Sequence, residues 1–402
     1  MTLSNPLTTS PPPPVLTIIA LGDSVMWGNG LKDPDKFLEL SARQIADKTQ
    51  RSVQVISFAH SAANLATHAP STQLPSYATG YAPLRPSDHN LPPGDLNAAY
   101  PTVREQADCA AVAYPTAEIV VLNGCINEVG AEQIALPPVL NKTSKEEIEK
   151  RVLQYCSTPM LETLTRVRAA FPLATLILLN YYQIVSQDSS VSRVKGAGTP
   201  PPGLPRDGSS QRSLQKLARE QQKLETMKGN HPSVTQEATV IQSWPENSVA
   251  FLNTTQTCFR WAIAAASGSS TTAGPPCSPD PSPLPEPSPE ALRQGSRIFP
   301  ATVLNRPAYA YGAKQTHVWS LPVHFLFWTL HADDLYRERR RLCRSHYEGL
   351  DQALALEICT VNPVAHPNRE GSKAYACSIV FDPSLHCELN EPGILDRAWA
   401  KR

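Results

Sequence analysis

The sequence predicts an α/β protein whose parallel β-sheet is covered by helices on both faces. Two observations predict it. Apolar runs such as Val15–Leu21 and Ala117–Asn123 are continuous rather than alternating, which marks strands buried on both sides. Segments with helical spacing alternate with these runs, the pattern that demands crossover connections and hence parallel strands. The chain has 402 residues, 41% of them hydrophobic, enough for a large core.

The elements follow in order. Val15–Leu21 is the first strand. Lys36 to Lys48 carries Phe37, Leu40, Ile45 and Ala46 at helical spacing. Ser52–Phe58 is the second strand, and residues 66–100, with Pro70, Pro75, Pro83, Pro86, Pro92 and Pro93, read as loop. Ala117–Asn123 is the third strand. Ser144 and Glu147 are spaced as a capping box, opening a helix to Cys156, and Met160–Phe171 continues helically after Pro159. Ala174–Asn180 is the fourth strand and Arg297–Val303 the fifth. His324–Cys343, Ser345–Glu357 and Asn368–Val380 close the chain as helices. In such sheets chemistry gathers at the carboxyl ends of the strands, so the turns after Leu21, Phe58 and Asn123 are the places to look.

The middle of the chain differs. Of 39 prolines, far above the roughly 5% of average usage, many fall between residues 187 and 296. Residues 275–289 have a composition that cannot form a packed core. The expectation is a polar N-terminal tail over residues 1–14, disordered, and a single domain over 15–402. That domain carries an exposed insertion at about 187–296, which has a helix near Asn253–Ala266 and a surface for partner contact.

Lys+Arg and Asp+Glu both number 36, so nothing suggests a nucleic-acid footprint or a polybasic anchor. No segment has the roughly 20 apolar residues of a transmembrane helix, and no secretory signal precedes Val15. The expected location is cytoplasmic. The 9 cysteines contain no CxxC pair and read mostly as reduced core thiols. His317, His324 and His331 recur at a spacing of about 10.5 Å along a helix, too far apart to share a metal ion. Neither a dinucleotide fingerprint nor a P-loop occurs, so no cofactor is expected.

Three short segments carry chemistry. Gly22-Asp23-Ser24 sits where the first strand ends. A serine on a strand-to-helix turn exposes its oxygen and directs backbone N–H groups at a developing oxyanion; the same residue types also suit a simple helix cap. Gly124-Cys125-Ile126-Asn127-Glu128 follows the third strand, and Asn127 can point an amide at that oxyanion or merely form a turn. His366-Pro367-Asn368 stands ahead of the last helix, where an imidazole can reach back over the strand tips.

In this order the segments resemble the GDSL/SGNH hydrolase family, over about residues 15–186 and 297–380. Gly22, Asp23 and Ser24 match its first block. Gly124 and Asn127 match the third, with Glu128 for the usual Asp, and His366 and Pro367 match the fourth. The resemblance implies a flavodoxin-like three-layer sandwich with a five-stranded parallel sheet. It makes Ser24 the nucleophile and His366 the base. It assigns the oxyanion hole to the amides of Ser24 and Ala62 and the side chain of Asn127. Asp23, Gly124, Glu128 and Asn362 are supporting residues. The implied reaction is hydrolysis of a small-molecule carboxylic ester through an acyl-serine. The same serine would serve an acyltransferase, and a catalytically degenerate binding module is a third reading.

The sequence departs from the family in the second block, where Ala62 stands for glycine. It departs again before the base, where Pro363 occupies the place of the orienting carboxylate. Three groups could stand in for that acid: a backbone carbonyl near Asn362 or Pro363, which makes a Ser–His dyad; the Asn362 side chain; or Asp333 or Asp334.

Overall fold

The computed structural model describes residues 14–66, 101–135, 143–189, 234–267, 298–319 (without 302, 304, 305, 312 and 314), 335–346, 365–385, 387 and 392–399. Five strands form one sheet: β1 (Leu16–Leu21), β2 (Val53–Ser57), β3 (Ile119–Leu122), β4 (Thr175–Leu179) and β5 (Ile298–Ala301). Their order is β2-β1-β3-β4-β5, and every pair is parallel. This is the flavodoxin-like order, with β1 and β3 side by side where the winding reverses. Leu21 lies opposite Leu122 there, so the turns that follow the two strands open at the same sheet edge.

The continuous apolar runs are explained by this position. Every residue of β3 and β4 is buried, as is all of β1 except Thr17. Right-handed crossovers place α2 (Phe37–Thr49), which returns from β1 to β2, on one face. They place α3 (Val103–Ala113) and α7 (Thr158–Ala170) on the other. α10 (Arg369–Ile379) packs beside α2, while α3 packs on α7. Between β3 and β4 the chain forms two short helices, α4 (Ile126–Val129) and α5 (Ala131–Ala135), and then α6 (Lys145–Val152). Ser144 caps α6 by accepting from the Glu147 amide, as the sequence predicts. A π-helical turn over Leu153–Ser157 then joins α6 to α7 without a break. Pro159 stands in the first turn of α7, next to the π-helical turn.

Two expectations are corrected. The span at 187–296 is not wholly an exposed insertion. It contains α8 (Val234–Ala266), which begins well before Asn253. Phe251, Thr255, Cys258, Phe259 and Ala262 of α8 are buried, and the helix packs on α5, α6, α7 and β5. Its apolar face supplies the cover that the β4–β5 half of the sheet would otherwise lack. Residues 275–289, Asn362, Asp333 and Asp334 lie outside the described residues, as does most of the tail and of the helix expected at 345–357.

The cysteines are the second correction. Cys125 pairs with Cys156 and Cys377 with Cys387, at Cα separations of 5.4 and 5.7 Å, and Cys343 is also disulfide-bonded. Cys109 is a free thiol. The pairs come from separate elements brought together by folding, which spacing along the chain could not reveal. Among the described residues no helix is long and apolar enough to cross a membrane. Two further helices complete the description, α9 (Tyr336–His346) and α11 (Ile394–Trp399).

Candidate active site

The site is built on the tip of β1. α1 (Ser24–Trp27) starts there, and Asp23 is its N-cap, accepting from the Val25 amide at 2.9 Å. The turn needs Gly22, whose φ is +156°; a Cβ there would lie 1.9 Å from Asn123 Oδ1 and 2.8 Å from Met26 Cβ. The Gly22 backbone is gripped from α3, its N–H donating to Gln106 Oε1 (2.7 Å) and its carbonyl accepting from Gln106 Nε2 (3.1 Å).

Asp23 is fully buried and faces away from solvent into a hydrogen-bond network. Its Oδ1 accepts from Asn123 Nδ2 at 2.9 Å, and its Oδ2 from the Tyr181 hydroxyl at 2.5 Å. Asn123 in turn accepts from the Asp23 amide at 3.1 Å. Burial raises the Asp23 carboxyl above its usual range, and the hydrogen bonds from Tyr181, Val25 and Asn123 oppose that rise. Asp23 therefore braces the turn that carries Ser24 from beneath.

Ser24 and His366 meet. His366 Nε2 lies 2.6 Å from Ser24 Oγ, and Ser24 is only 6% exposed. The histidine is carried on a segment that pairs antiparallel with residues 317–319. The Ala365 amide donates to the Trp319 carbonyl (2.9 Å), the Trp319 amide to the His366 carbonyl (2.8 Å) and the Asn368 amide to the His317 carbonyl (2.9 Å). Asn368 then caps α10 through the amides of Glu370 and Gly371, and its Nδ2 donates to the Thr316 carbonyl at 2.8 Å. Gly371 is required by close approach: a Cβ would sit 2.2 Å from the His317 carbonyl oxygen.

The second block hangs beside Ser24. Ala62 takes φ +62°, the left-handed conformation that favours glycine, at a cost of about 1 kcal/mol. The amides of Ser24 and Ala62 make no hydrogen bond among the described residues. Neighbouring groups fix the turn on three sides. The His60 amide donates to the Gly22 carbonyl at 3.2 Å, and Asn29 Nδ2 donates to Ser61 Oγ at 3.0 Å. Asn127 Nδ2 donates to the Ala63 carbonyl at 2.8 Å, leaving its second N–H unbonded among the described residues. The His60 ring is buried against the carbonyls of Ser61 and Pro101, and burial pushes its imidazole below the ordinary range.

Glu128 clamps the same turn. Its Oε1 accepts from the Leu65 amide, and its Oε2 is buried with no partner among the described residues. Burial pushes the carboxyl up to about 8, a rise that the Leu65 bond opposes and the charge of Asp23 adds to. The folded protein therefore holds this proton where the unfolded chain, at the ordinary 4.5, has released it. Stability falls as pH rises between these two values. Gln in this place accepts the same Leu65 bond without an ionisable oxygen. Glu128→Gln is expected to raise the melting temperature at pH 8–9 and to flatten its decline above pH 5, as read by thermal melts across pH. A variant less stable than wild type at pH 9 would contradict this account.

Gly124 and Cys125 complete the third block. Cys125 has φ +120° and is bonded to Cys156, which ties the turn carrying Asn127 to the π-helical turn between α6 and α7. The sequence brought forward Ser24, His366, Ala62, Asn127, Asp23, Gly124 and Glu128, and all seven gather at the carboxyl ends of β1, β2 and β3. It missed Gln106, Asn123 and the segment at 317–319 that pairs with the histidine's chain. Asn123 was within reach, as a polar residue closing an apolar strand.

No protein-family model matches the sequence, and no curated protein matches it. Among solved structures, the chain is similar to an extracellular lipase from Streptomyces rimosus at 10% identity, with a TM-score of 0.35, over 78% of this chain and 92% of that one. It is also similar to phospholipase A1 from Streptomyces albidoflavus at 14% identity, TM-score 0.27, over 62% and 75% of the two chains. A lipase from a goat rumen metagenome matches at 21% identity and TM-score 0.26, over 42% of this chain; the match spans 65% of the lipase's own length. At these TM-scores the superpositions are partial, and what the chain does is argued from its own site.

Proposed function

We propose that the protein is a carboxylic ester hydrolase of the GDSL/SGNH type, with Ser24 as nucleophile and His366 as general base. One observation carries the reading: residues 342 positions apart in the chain bring Oγ and Nε2 to 2.6 Å at the tip of a central parallel strand. A serine hydroxyl is a poor nucleophile until a base takes its proton, and that contact supplies the base.

In the proposed reaction, Ser24 Oγ attacks the ester carbonyl carbon as its proton passes to His366 Nε2. Negative charge develops on the carbonyl oxygen, facing the amides of Ser24 and Ala62 and the remaining N–H of Asn127. The tetrahedral intermediate collapses when the imidazolium returns the proton to the departing alcohol, leaving an acyl-serine. Water then gives a proton to the same nitrogen and attacks the acyl carbon. Collapse of the second intermediate releases the acid and restores the Ser24 hydroxyl. An acceptor alcohol in place of water would make the same chemistry an acyl transfer. The disulfides support an oxidising compartment as the working location, in place of the cytoplasmic one expected from the sequence.

The test is covalent. A fluorophosphonate probe is expected to phosphonylate the wild-type chain once, on the peptide containing Ser24, as read by mass spectrometry, with p-nitrophenyl ester turnover lost in step. A chain that is neither labelled nor active on any acyl length from acetate upward would refute the proposal.

A further inference from the structure

Asn362, Asp333 and Asp334, the side chains considered as substitutes for the missing acid, lie outside the described residues. A different group touches the histidine's main chain. Ala365, the residue before His366, has φ +64°, which turns its carbonyl off the line of the paired strand. Residue 365 gives its amide to Trp319 but not its carbonyl; that oxygen accepts from the Tyr182 hydroxyl at 2.5 Å.

Tyr182 is itself held. It follows β4 by three residues, it is 91% buried, and its ring packs edge-on against Tyr375 of α10 at 6.2 Å. The hydroxyl thus reaches from the fourth strand to the peptide that immediately precedes the base. The other main-chain bonds to this segment come from residues 316–319, on its far side. A strand pairing alone fixes the height of the segment over the sheet. A second bond, from a group rigidly attached to β4, fixes its rotation, and rotation at residue 365 is what swings the imidazole toward or away from Ser24 Oγ.

We propose that Tyr182 is a positioning residue for His366, setting the base's approach to Ser24 through the Ala365 carbonyl. The inference rests on the hydrolase reading above. It makes the main chain beside His366 a support held from two sides, by residues 317–319 and by the Tyr182 hydroxyl. The strained conformation at Ala365 is then part of the device, because an extended residue there would not present its carbonyl to Tyr182.

The test uses the full chain and p-nitrophenyl acetate. Tyr182→Phe keeps the ring and its packing and removes only the hydroxyl. The expected result is a kcat lowered roughly 10–100-fold, the scale on which small misplacement of a catalytic group acts, with KM within about twofold of wild type. The rate of fluorophosphonate labelling at Ser24 is expected to fall in parallel, since that reaction also needs the aligned base. A kcat within about twofold of wild type overturns the proposal. So does a loss that vanishes when the assay is run far below the variant's melting temperature, because it would then be structural. Wild-type chain that neither turns over the ester nor takes the label would overturn the hydrolase reading itself, and this one with it. That result is read on wild type alone and is distinct from the others.

Discussion

Ser24→Ala is expected to lower kcat on p-nitrophenyl esters by on the order of ten-thousand-fold or more, leaving only what the remaining polar groups contribute. The same loss is expected for His366→Ala, and the double variant should be no worse than either single one. The physical reason is that the two act as a unit: Oγ without Nε2 keeps its proton, and Nε2 without Oγ has nothing to activate. The pair is joined by a 2.6 Å contact, so Ser24→Ala should cost the fold only about 1 kcal/mol. Steady-state kinetics and thermal melts check both halves of this. Residual activity above about one per cent in Ser24→Ala would mean that another nucleophile carries the reaction.

Asn127→Ala is expected to reduce kcat by about 100–1,000-fold while changing KM little, the signature of a donor used mainly in the transition state. Its side chain has two jobs. One N–H holds the Ala63 carbonyl at 2.8 Å, and in the proposed reaction the other donates to the substrate oxygen. Truncation removes the donor and loosens the turn that bears the Ala62 amide, so the two losses fall on the same charge. Assays with substrates of several acyl lengths separate this from a binding defect. A change confined to KM would show that Asn127 only shapes the pocket.

How much of this was legible in the sequence varies with the kind of signal. Strands β1, β3 and β4 could be read because burial on both faces forces continuous apolar runs. The Ser24 and His366 segments could be read because chemistry confines residue type and spacing. The N-cap reading of Gly22-Asp23-Ser24 is realised, with Asp23 capping the helix that Ser24 begins. α3 was missed although Thr102 and Glu105 form a full capping box; the proline-rich stretch before it drew the eye away from an alanine-rich helix of weak amphipathicity. Gln106 was not legible. A glutamine that grips Gly22 from 84 residues away leaves no local pattern. The disulfides were hidden for the same reason, since Cys125 and Cys156 are adjacent only after α4 to α6 have folded between them. Ala62, which stands for glycine in the second block, takes the positive φ that glycine would adopt freely.

Helix α8 bears on how this chain can be re-engineered. Phe251 packs against Tyr181 with ring centroids 5.2 Å apart, and Tyr181 holds the carboxylate beneath Ser24. Burial of one such phenyl group is worth about 2–3 kcal/mol. A shortened chain made by splicing residue 189 to residue 298 would therefore lose a wall of the Ser24 site along with its proline-rich sequence. Trimming that respects the molecule keeps 245–267 as an integral part of the domain and places the cuts on either side.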